Sequence, residues 1–318
     1  MTQDLRLAVH RFPGDRPVLL VHGFTRSAAL DWIEPGWPAA LAAQGRGAVA
    51  VDLPGHGSCP AADPGRVSVG AVVAALVTVI DGTGQERADV IGYSLGARLA
   101  WTLAATGRVG RLVLGGLSPV DTLAGTDIDL VGAVARGESE APDPDTRDWA
   151  SMVALPWLDQ EQTLLLLKAL VAEPFDASTD IPANPTLIVS GAEDDAFDTA
   201  AALPGSTCLT VPGDHFGALM SPEFRAAAVA FVASPGCARP AGAGRPQACG
   251  SSVGDKRAAL ASVRNLFAGI RHYRLPGLVW FDEDQHGGLY RQDWRLEDDP
   301  AALAAFRRAV SRRGISGA

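Results

Sequence analysis

The pentapeptide Gly92-Tyr-Ser-Leu-Gly96 carries the clearest chemical signal in the sequence. A serine hydroxyl is a weak nucleophile unless its oxygen is exposed and a nearby base can take its proton. Glycines two residues before and two after Ser94 permit a tight turn from a strand into a helix, which raises the hydroxyl above a sheet. A β-type run, residues 88–91, precedes the pentapeptide and a helical run, residues 97–105, follows it. These flanking segments predict that Ser94 is a catalytic nucleophile.

A serine nucleophile requires a base and an acid that orients the base. Among six histidines, only His215 directly follows the last strand-like run of the first 233 residues. The strand-like run before it leads into residues 188–195, which offer three carboxylates. We therefore predict a catalytic triad of Ser94, Asp194 and His215, and Asp195 remains the alternative acid.

Two hydrogen-bond donors should face the oxygen that becomes negative when Ser94 attacks an acyl group. The helix after Ser94 points its first amides at the site, so the backbone N–H of Leu95 is the first predicted donor. The second donor must come from the loop after Val21, and we predict the backbone N–H of Phe24 there. His22, in the same loop, is expected to hold the turn by hydrogen bonds rather than to transfer protons.

Residues 5–233 alternate short β-rich runs with helical patterns. This alternation predicts an α/β fold, with a mostly parallel sheet flanked by helices. The interval of about 119–182 breaks the rhythm and holds Trp149, Trp157 and a leucine-rich helix over residues 160–171. We expect a small helical cap there, with both tryptophans contacting substrate; two ordinary surface helices are the alternative.

Five motifs together resemble those of the α/β-hydrolase superfamily: His22-Gly-Phe, Asp52-Leu-Pro-Gly-His-Gly57, Gly92–Gly96, Gly191-Ala-Glu-Asp194 and Asp214-His215. The resemblance covers about residues 5–233 and follows the chain order Ser, Asp, His of this fold. It implies a carboxylesterase-type enzyme that forms an acyl-enzyme on Ser94, acts on a small-molecule ester and needs no cofactor or metal. One departure is the short N-terminus, which has room for one strand before Arg16 where the family often has two.

Gly92-Tyr-Ser-Leu-Gly-Ala-Arg98 also resembles the lyase of menaquinone biosynthesis, in which an arginine at this position helps bind a carboxylated substrate. That resemblance makes Arg98 a candidate substrate-binding residue. The expected cap holds few basic residues for a polyanionic ligand, namely Arg136, Arg147 and Lys168. A third alternative is a non-catalytic ligand-binding module of the same fold, but the presence of all three triad residue types argues against it.

Residues 234–252 are rich in Pro, Gly and Ala, which predicts a linker between domain 1–233 and a short α/β appendage, 253–318. Residues 278–284 and 301–310 resemble the last strand and helix of β-mannanase-like (β/α)₈ glycoside hydrolases. The paired carboxylates that such enzymes need would lie on earlier strands, which are absent here. We therefore expect the appendage to be dispensable for the chemistry.

Charge and hydropathy exclude other functions. The formal net charge of −9 argues against nucleic-acid binding, which needs a basic face. The longest apolar run, Ala71 to Ile80, is far shorter than the roughly 18 residues of a membrane span. No two cysteines stand in a CxxC pair, which disfavours a zinc site. With no apolar signal segment at the N-terminus, the expected location is the cytoplasm; the acyl preference and the oligomeric state stay open.

Overall fold

The structure, a computed structural model, describes residues 5–118, 121–194, 203 and 206–234. Asp195, most of the expected linker and the expected appendage 253–318 lie outside the described residues. In the described part of the chain, seven strands form one sheet. They are β1 (Ala8–Phe12), β2 (Asp15–Val21), β3 (Arg46–Asp52), β4 (Ala88–Tyr93), β5 (Val109–Gly115), β6 (Thr186–Gly191) and β7 (Thr207–Val211).

The strand order across the sheet is β1-β3-β2-β4-β5-β6-β7. Strand β1 runs antiparallel to β3, and the other neighbouring pairs are parallel. The predicted mostly parallel sheet is therefore confirmed. Because β3 lies on one side of β2 and β4 on the other, the chain reverses its direction of travel between β2 and β4. Ligands of open α/β sheets bind at the carboxyl ends of strands beside such a reversal.

Eight α-helices connect or follow these strands in the described residues, together with a π-helical turn, Ala29–Ile33, and a 3₁₀ turn, Pro64–Arg66. The helices are α1 (Trp37–Ala42), α2 (Val69–Asp81), α3 (Leu95–Ala104), α4 (Ile128–Ala135), α5 (Pro144–Val153), α6 (Gln160–Ala172), α7 (His215–Met220) and α8 (Pro222–Ala233). Within the described residues, no helix has both the length and the hydropathy to cross a membrane.

The central strands are buried on both faces. Alternate residues such as Leu20 and Ile91 pack in one cluster with Trp32 and Trp37, which lie before and within α1, and with Phe224 of α8. The intervening strand residues are also buried. This two-sided burial explains why the strands appear as continuous apolar runs in the sequence rather than as alternating ones.

Helices α4, α5 and α6 are inserted between β5 and β6, in the interval where a cap is expected. The start of α6 is bonded to the loop after β3: the N–H of Asp159 donates to the carbonyl of Gly55 at 2.9 Å. The hydroxyl of Thr163 donates to the same carbonyl at 3.3 Å. The inserted helices are therefore anchored to a loop at the carboxyl edge of the sheet, and their action as a cap remains a prediction.

Helix α3 packs closely against the end of β2 at Gly96. A Cβ at Gly96 would lie 2.0 Å from the carbonyl oxygen of Val21. We expect Gly96→Ala to lower the free energy of unfolding by about 3 kcal/mol, because backbone on both sides must shift to admit the methyl group. Gly65→Ala is the control, since no atom lies within 4 Å of its Cβ position. Urea denaturation measures both, and equal stability of the two variants would contradict this packing.

Candidate active site

Ser94 lies at the junction of β4 and α3, at the carboxyl edge of the sheet. Its φ is 53° and its ψ is −116°, a strained conformation for a residue with a Cβ. The N–H of Ser94 donates to the carbonyl of Gly115 at 2.8 Å. A Cβ at Gly92 would lie 2.3 Å from the carbonyl oxygen of Gly96, so the turn closes on itself. The two glycines on which the nucleophile prediction depends are thus required by contact distances.

His215 and Asp194 are brought together by the loops after β7 and β6. Nδ1 of His215 lies 2.9 Å from Oδ2 of Asp194, and both side chains are largely buried. The N–H of Glu193 donates to the carbonyl of Gly213 at 3.1 Å, which joins the two loops directly. Asp214 caps α7 by accepting hydrogen bonds from the first amides of that helix, and His215 is its first residue. This pairing orients an imidazole as a base requires.

Tyr93 connects His215 to β4, the strand that precedes Ser94. The Tyr93 hydroxyl donates a hydrogen bond to the carbonyl of His215 at 2.5 Å, and the two rings are 5.4 Å apart. Burial raises the pKa of Tyr93, and the charges of Asp194, Asp214 and Asp31 raise it further, so the hydroxyl stays a donor. The residue before Ser94 therefore holds the residue predicted to be its base.

Most of the backbone amides of residues 23–26 are already engaged in hydrogen bonds within the protein. The N–H of Gly23 donates to Asp31 at 2.9 Å, and the N–H of Thr25 donates to His56 at 3.1 Å. The N–H of Arg26 donates to the carbonyl of Gly23 at 3.3 Å. Among the described residues, the N–H of Phe24 has no hydrogen-bond acceptor, and neither does the N–H of Leu95. These are the two amides predicted for the oxyanion hole.

Two buried histidines hold this loop and stay neutral. Nδ1 of His22 donates to the carbonyl of Gly23 at 2.7 Å, while its Nε2 accepts the N–H of Leu53 at 3.0 Å. His56 donates from Nδ1 to the carbonyl of Pro54 at 2.8 Å. Burial lowers the pKa of His22 to about 3 and that of His56 to about 4. A neutral imidazole with both nitrogens engaged positions backbone, as the sequence predicts for His22.

Asp52, at the end of β3, joins three further segments. Its Oδ1 accepts the N–H of Ala28 at 2.8 Å, and its Oδ2 accepts both the N–H and the hydroxyl of Ser58 at 2.9 Å. Nε2 of His10, on β1, lies 2.9 Å from the same oxygen. A Cβ at Gly57 would lie 2.4 Å from the carboxyl carbon of Asp52. The motif Asp52–Gly57 thus fixes loops around the site.

Arg98 is almost fully engaged by the protein itself. One guanidinium nitrogen donates to Asp121 at 3.1 Å, and the other donates to the carbonyls of Leu170 and Glu173 at 2.9 and 2.7 Å. The guanidinium also lies over the ring of Phe175, 5.7 Å from its centroid. These contacts join α3 to the end of α6. They favour the interpretation of Arg98 as a structural residue over that of a carboxylate-binding one.

Trp149 and Trp157, the two tryptophans expected to contact substrate, both contact the loop 22–26. The ring of Trp149 meets the ring of Phe24 edge to face at 5.5 Å, and its buried Nε1 has no acceptor among the described residues. Nε1 of Trp157 donates to the carbonyl of Thr25 at 2.9 Å, and the side chain is 57% exposed. The inserted helices and the segment after α5 therefore adjoin the predicted oxyanion hole.

Sequence reasoning overlooked several residues of this region. Asp31 and Arg26 form an ion pair behind the loop 22–26, and Asp121 is the partner of Arg98. No motif or periodicity distinguishes these residues from the other carboxylates and arginines of the sequence. Tyr93 lies within the pentapeptide Gly92–Gly96, but nothing in its spacing indicates a contact with a residue 122 positions away.

A family model for the alpha/beta hydrolase fold matches residues 16–136. Among curated proteins, no sequence matches this chain. Solved structures that are similar to it include an esterase, an enol-lactonase and MenH. The esterase EaEST from Exiguobacterium antarcticum is 18% identical with a TM-score of 0.57, over 74% of this chain and 100% of the esterase. The enol-lactonase from Burkholderia xenovorans LB400 is 19% identical with a TM-score of 0.56, over 72% of this chain and 96% of the lactonase.

MenH from S. aureus is 17% identical with a TM-score of 0.56, over 70% of this chain and 97% of MenH. The TM-scores show a common fold, while identities this low leave the reaction open, because one fold hosts many chemistries. The region that the family model matches contains Ser94 and the loop 22–26. The mostly parallel sheet and the helices that flank it also agree with the α/β-hydrolase fold. The described part of the chain thus has the α/β-hydrolase fold.

Proposed function

We propose that the chain is a serine hydrolase that cleaves carboxylic esters through an acyl-enzyme on Ser94. The observation that carries this proposal is the 2.9 Å contact between Nδ1 of His215 and Oδ2 of Asp194, at the same sheet edge as the strained Ser94. A nucleophile, a base and an acid in the chain order of this fold are the parts that acyl transfer requires.

In this mechanism the hydroxyl oxygen of Ser94 attacks the ester carbonyl carbon, and Nε2 of His215 takes the hydroxyl proton. Asp194 accepts the Nδ1 hydrogen of His215 and stabilises the imidazolium that forms. The carbonyl oxygen becomes negative and accepts hydrogen bonds from the N–H groups of Phe24 and Leu95. His215 then protonates the leaving alkoxide. A water molecule attacks the acyl-enzyme in a second cycle of the same steps, which releases the acid.

The engagement of Arg98 supports neutral esters over carboxylated substrates. Two of the three basic side chains in the expected cap are also paired with acidic residues: Arg136 with Glu138, and Lys168 with Asp129. A panel of chromogenic esters of rising acyl length, run beside the menaquinone-pathway intermediate, tests the class of reaction. Turnover of the intermediate without ester hydrolysis would replace the proposal with the lyase alternative.

Ser94→Ala should abolish ester turnover while the protein stays folded. Loss of a triad member costs on the order of 10⁴ to 10⁶ in kcat, since no other group takes over the nucleophilic step. Ester hydrolysis and circular dichroism measure the two quantities. Full activity in a folded Ser94→Ala protein would refute the mechanism.

Asp194→Asn and Asp195→Asn separate the two candidate acids. Asp194→Asn should lower kcat on the order of 10⁴-fold, because an amide at this position favours the wrong imidazole tautomer. Asp195→Asn should leave kcat within a few-fold of the native value. Steady-state kinetics decide between them, and the reverse pattern would assign the role of acid to Asp195.

Arg98→Ala should affect stability more than catalysis. The substitution leaves the buried carboxylate of Asp121 without its cation, so the free energy of unfolding should fall by about 3 kcal/mol. For a neutral ester, kcat/KM should change only a few-fold. Arg136→Ala is the matched control, because its ion pair with Glu138 is exposed and its loss should leave the melting temperature nearly unchanged. A KM increase confined to carboxylated substrates, at unchanged stability, would instead indicate a substrate-binding arginine.

A further inference from the structure

Asp31 is a fully buried carboxylate with no assigned role in the mechanism above. It lies in the π-helical turn Ala29–Ile33, and its relative exposure is 0%. Its Oδ2 accepts the N–H of Gly23 at 2.9 Å, and its Oδ1 accepts the Nε hydrogen of Arg26 at 2.7 Å. A buried carboxylate costs several kcal/mol of desolvation unless its partners are well placed. A carboxylate that is retained at this cost next to the loop of the predicted oxyanion hole is a candidate for a role in the site.

The position of Gly23 indicates what this role is. A Cβ on Gly23 would lie 3.4 Å from Cβ of Ser94 and 3.7 Å from Oδ2 of Asp31, so the glycine separates the carboxylate from the nucleophile. The next amide along the chain is that of Phe24, which has no acceptor among the described residues. The peptide that carries this amide also carries the carbonyl of Gly23, which accepts hydrogen bonds from Nδ1 of His22 and from the N–H of Arg26. The N–H of Gly23, in the preceding peptide, is held by Asp31.

We propose that Asp31 is a positioning residue for the oxyanion hole, and that Arg26 offsets its charge. The inference rests on the proposed function. By accepting the N–H of Gly23, Asp31 holds the peptide unit that precedes Gly23 and occupies that amide. His22 and the N–H of Arg26 hold the next peptide unit, which carries the N–H of Phe24, by donating to the carbonyl of Gly23. Asp31 thus fixes the residue from which the peptide with the free Phe24 amide starts. The peptide is thereby fixed before substrate binds, and no reorganisation is needed as negative charge develops.

Arg26 is required because an unpaired carboxylate so close to the site would repel the oxyanion. Its guanidinium binds the oxygen of Asp31 that does not face Gly23, and it also donates to the carbonyl of Leu30 at 3.1 Å. Burial raises the pKa of Asp31, while the Gly23 amide, Arg26 and His215 each oppose this increase. The pair therefore presents a hydrogen-bond acceptor to the loop with little net charge.

Asp31→Ala and Arg26→Gln test the two parts of the proposal separately. Asp31→Ala should lower kcat about 10²-fold with KM changed less than about threefold, because a displaced oxyanion donor acts on the transition state. Asp31→Asn, which retains one acceptor oxygen for Gly23, should recover part of that loss. Arg26→Gln should lower kcat about tenfold, because the carboxylate charge is then uncompensated.

The readout specific to the oxyanion hole is inhibition by a trifluoromethyl ketone, whose adduct with Ser94 carries an oxyanion. Its inhibition constant should rise by the same factor as kcat/KM falls. The control is Asp89→Ala. Asp89 also pairs with an arginine, Arg46 at 2.8 Å, and accepts a backbone N–H, that of Arg111 at 2.8 Å. Asp89→Ala should lower stability without lowering kcat.

Three results would overturn the proposal: kcat within twofold of native in Asp31→Ala and Arg26→Gln, equal kcat losses in Asp89→Ala, or an unchanged inhibition constant despite a lower kcat. If Asp31→Ala fails to fold, Arg26→Gln alone tests the proposal. The Arg26 side chain is partly exposed, so its replacement should leave the protein folded. Native ester turnover and its loss in Ser94→Ala test the proposed function independently. Failure of the Asp31 inference is therefore distinguishable from failure of the enzyme assignment.

Discussion

The backbone of Ser94 adopts φ 53° and ψ −116°, a conformation that costs on the order of 1–3 kcal/mol for a residue with a Cβ. It persists because β4, α3 and the end of β2 contact one another through glycines. At Gly92 and Gly96 a Cβ would lie 2.3 Å or less from backbone oxygen. Close approach at these two points brings the loop after β2 against the serine, and the rest of the site is arranged around that contact.

In the loop 22–26, which this contact brings against Ser94, the backbone amides differ in whether they have a hydrogen-bond acceptor. A buried N–H that lacks an acceptor is costly, and two amides of the loop are satisfied by buried side chains. Asp31 takes the N–H of Gly23, and His56 takes the N–H of Thr25. The amides of Phe24 and Leu95 have no acceptor among the described residues. In the proposed reaction, these two donors stabilise the oxyanion that forms when Ser94 attacks the ester.

The segment between β5 and β6, which holds the inserted helices, contacts both helix α3 and the loop 22–26. Arg98 lies one turn after Ser94 on α3 and binds the carbonyls of Leu170 and Glu173 at the end of α6. Trp157 binds the carbonyl of Thr25, and Trp149 packs on Phe24. Helix α3, which follows Ser94, and the loop 22–26 are thus both bonded to the segment between β5 and β6. A change in that segment is expected to alter substrate range and catalytic geometry together.

Much of the architecture was predictable because it depends on local patterns. Continuous apolar runs are typical of strands buried on both faces, and the β-type run predicted at residues 88–91 is confirmed with a short extension at its end. The glycines around Ser94 indicated the turn, and chain order indicated which carboxylate and histidine to consider. The choice between Asp194 and Asp195 stays a prediction, since Asp195 lies outside the described residues.

The sequence by itself determined the sheet, the turn at Ser94 and the residue types of the expected triad, because periodicity and glycine spacing are properties of short segments. Only the tertiary structure decided that Arg98 binds Asp121, that Asp31 holds Gly23 and that the amide of Phe24 remains without an acceptor among the described residues. The physical reason is that a polar group selects its partner by three-dimensional proximity. For Arg98 these partners lie up to 75 positions away in the sequence. The periodicity of short segments carries no information over such a separation.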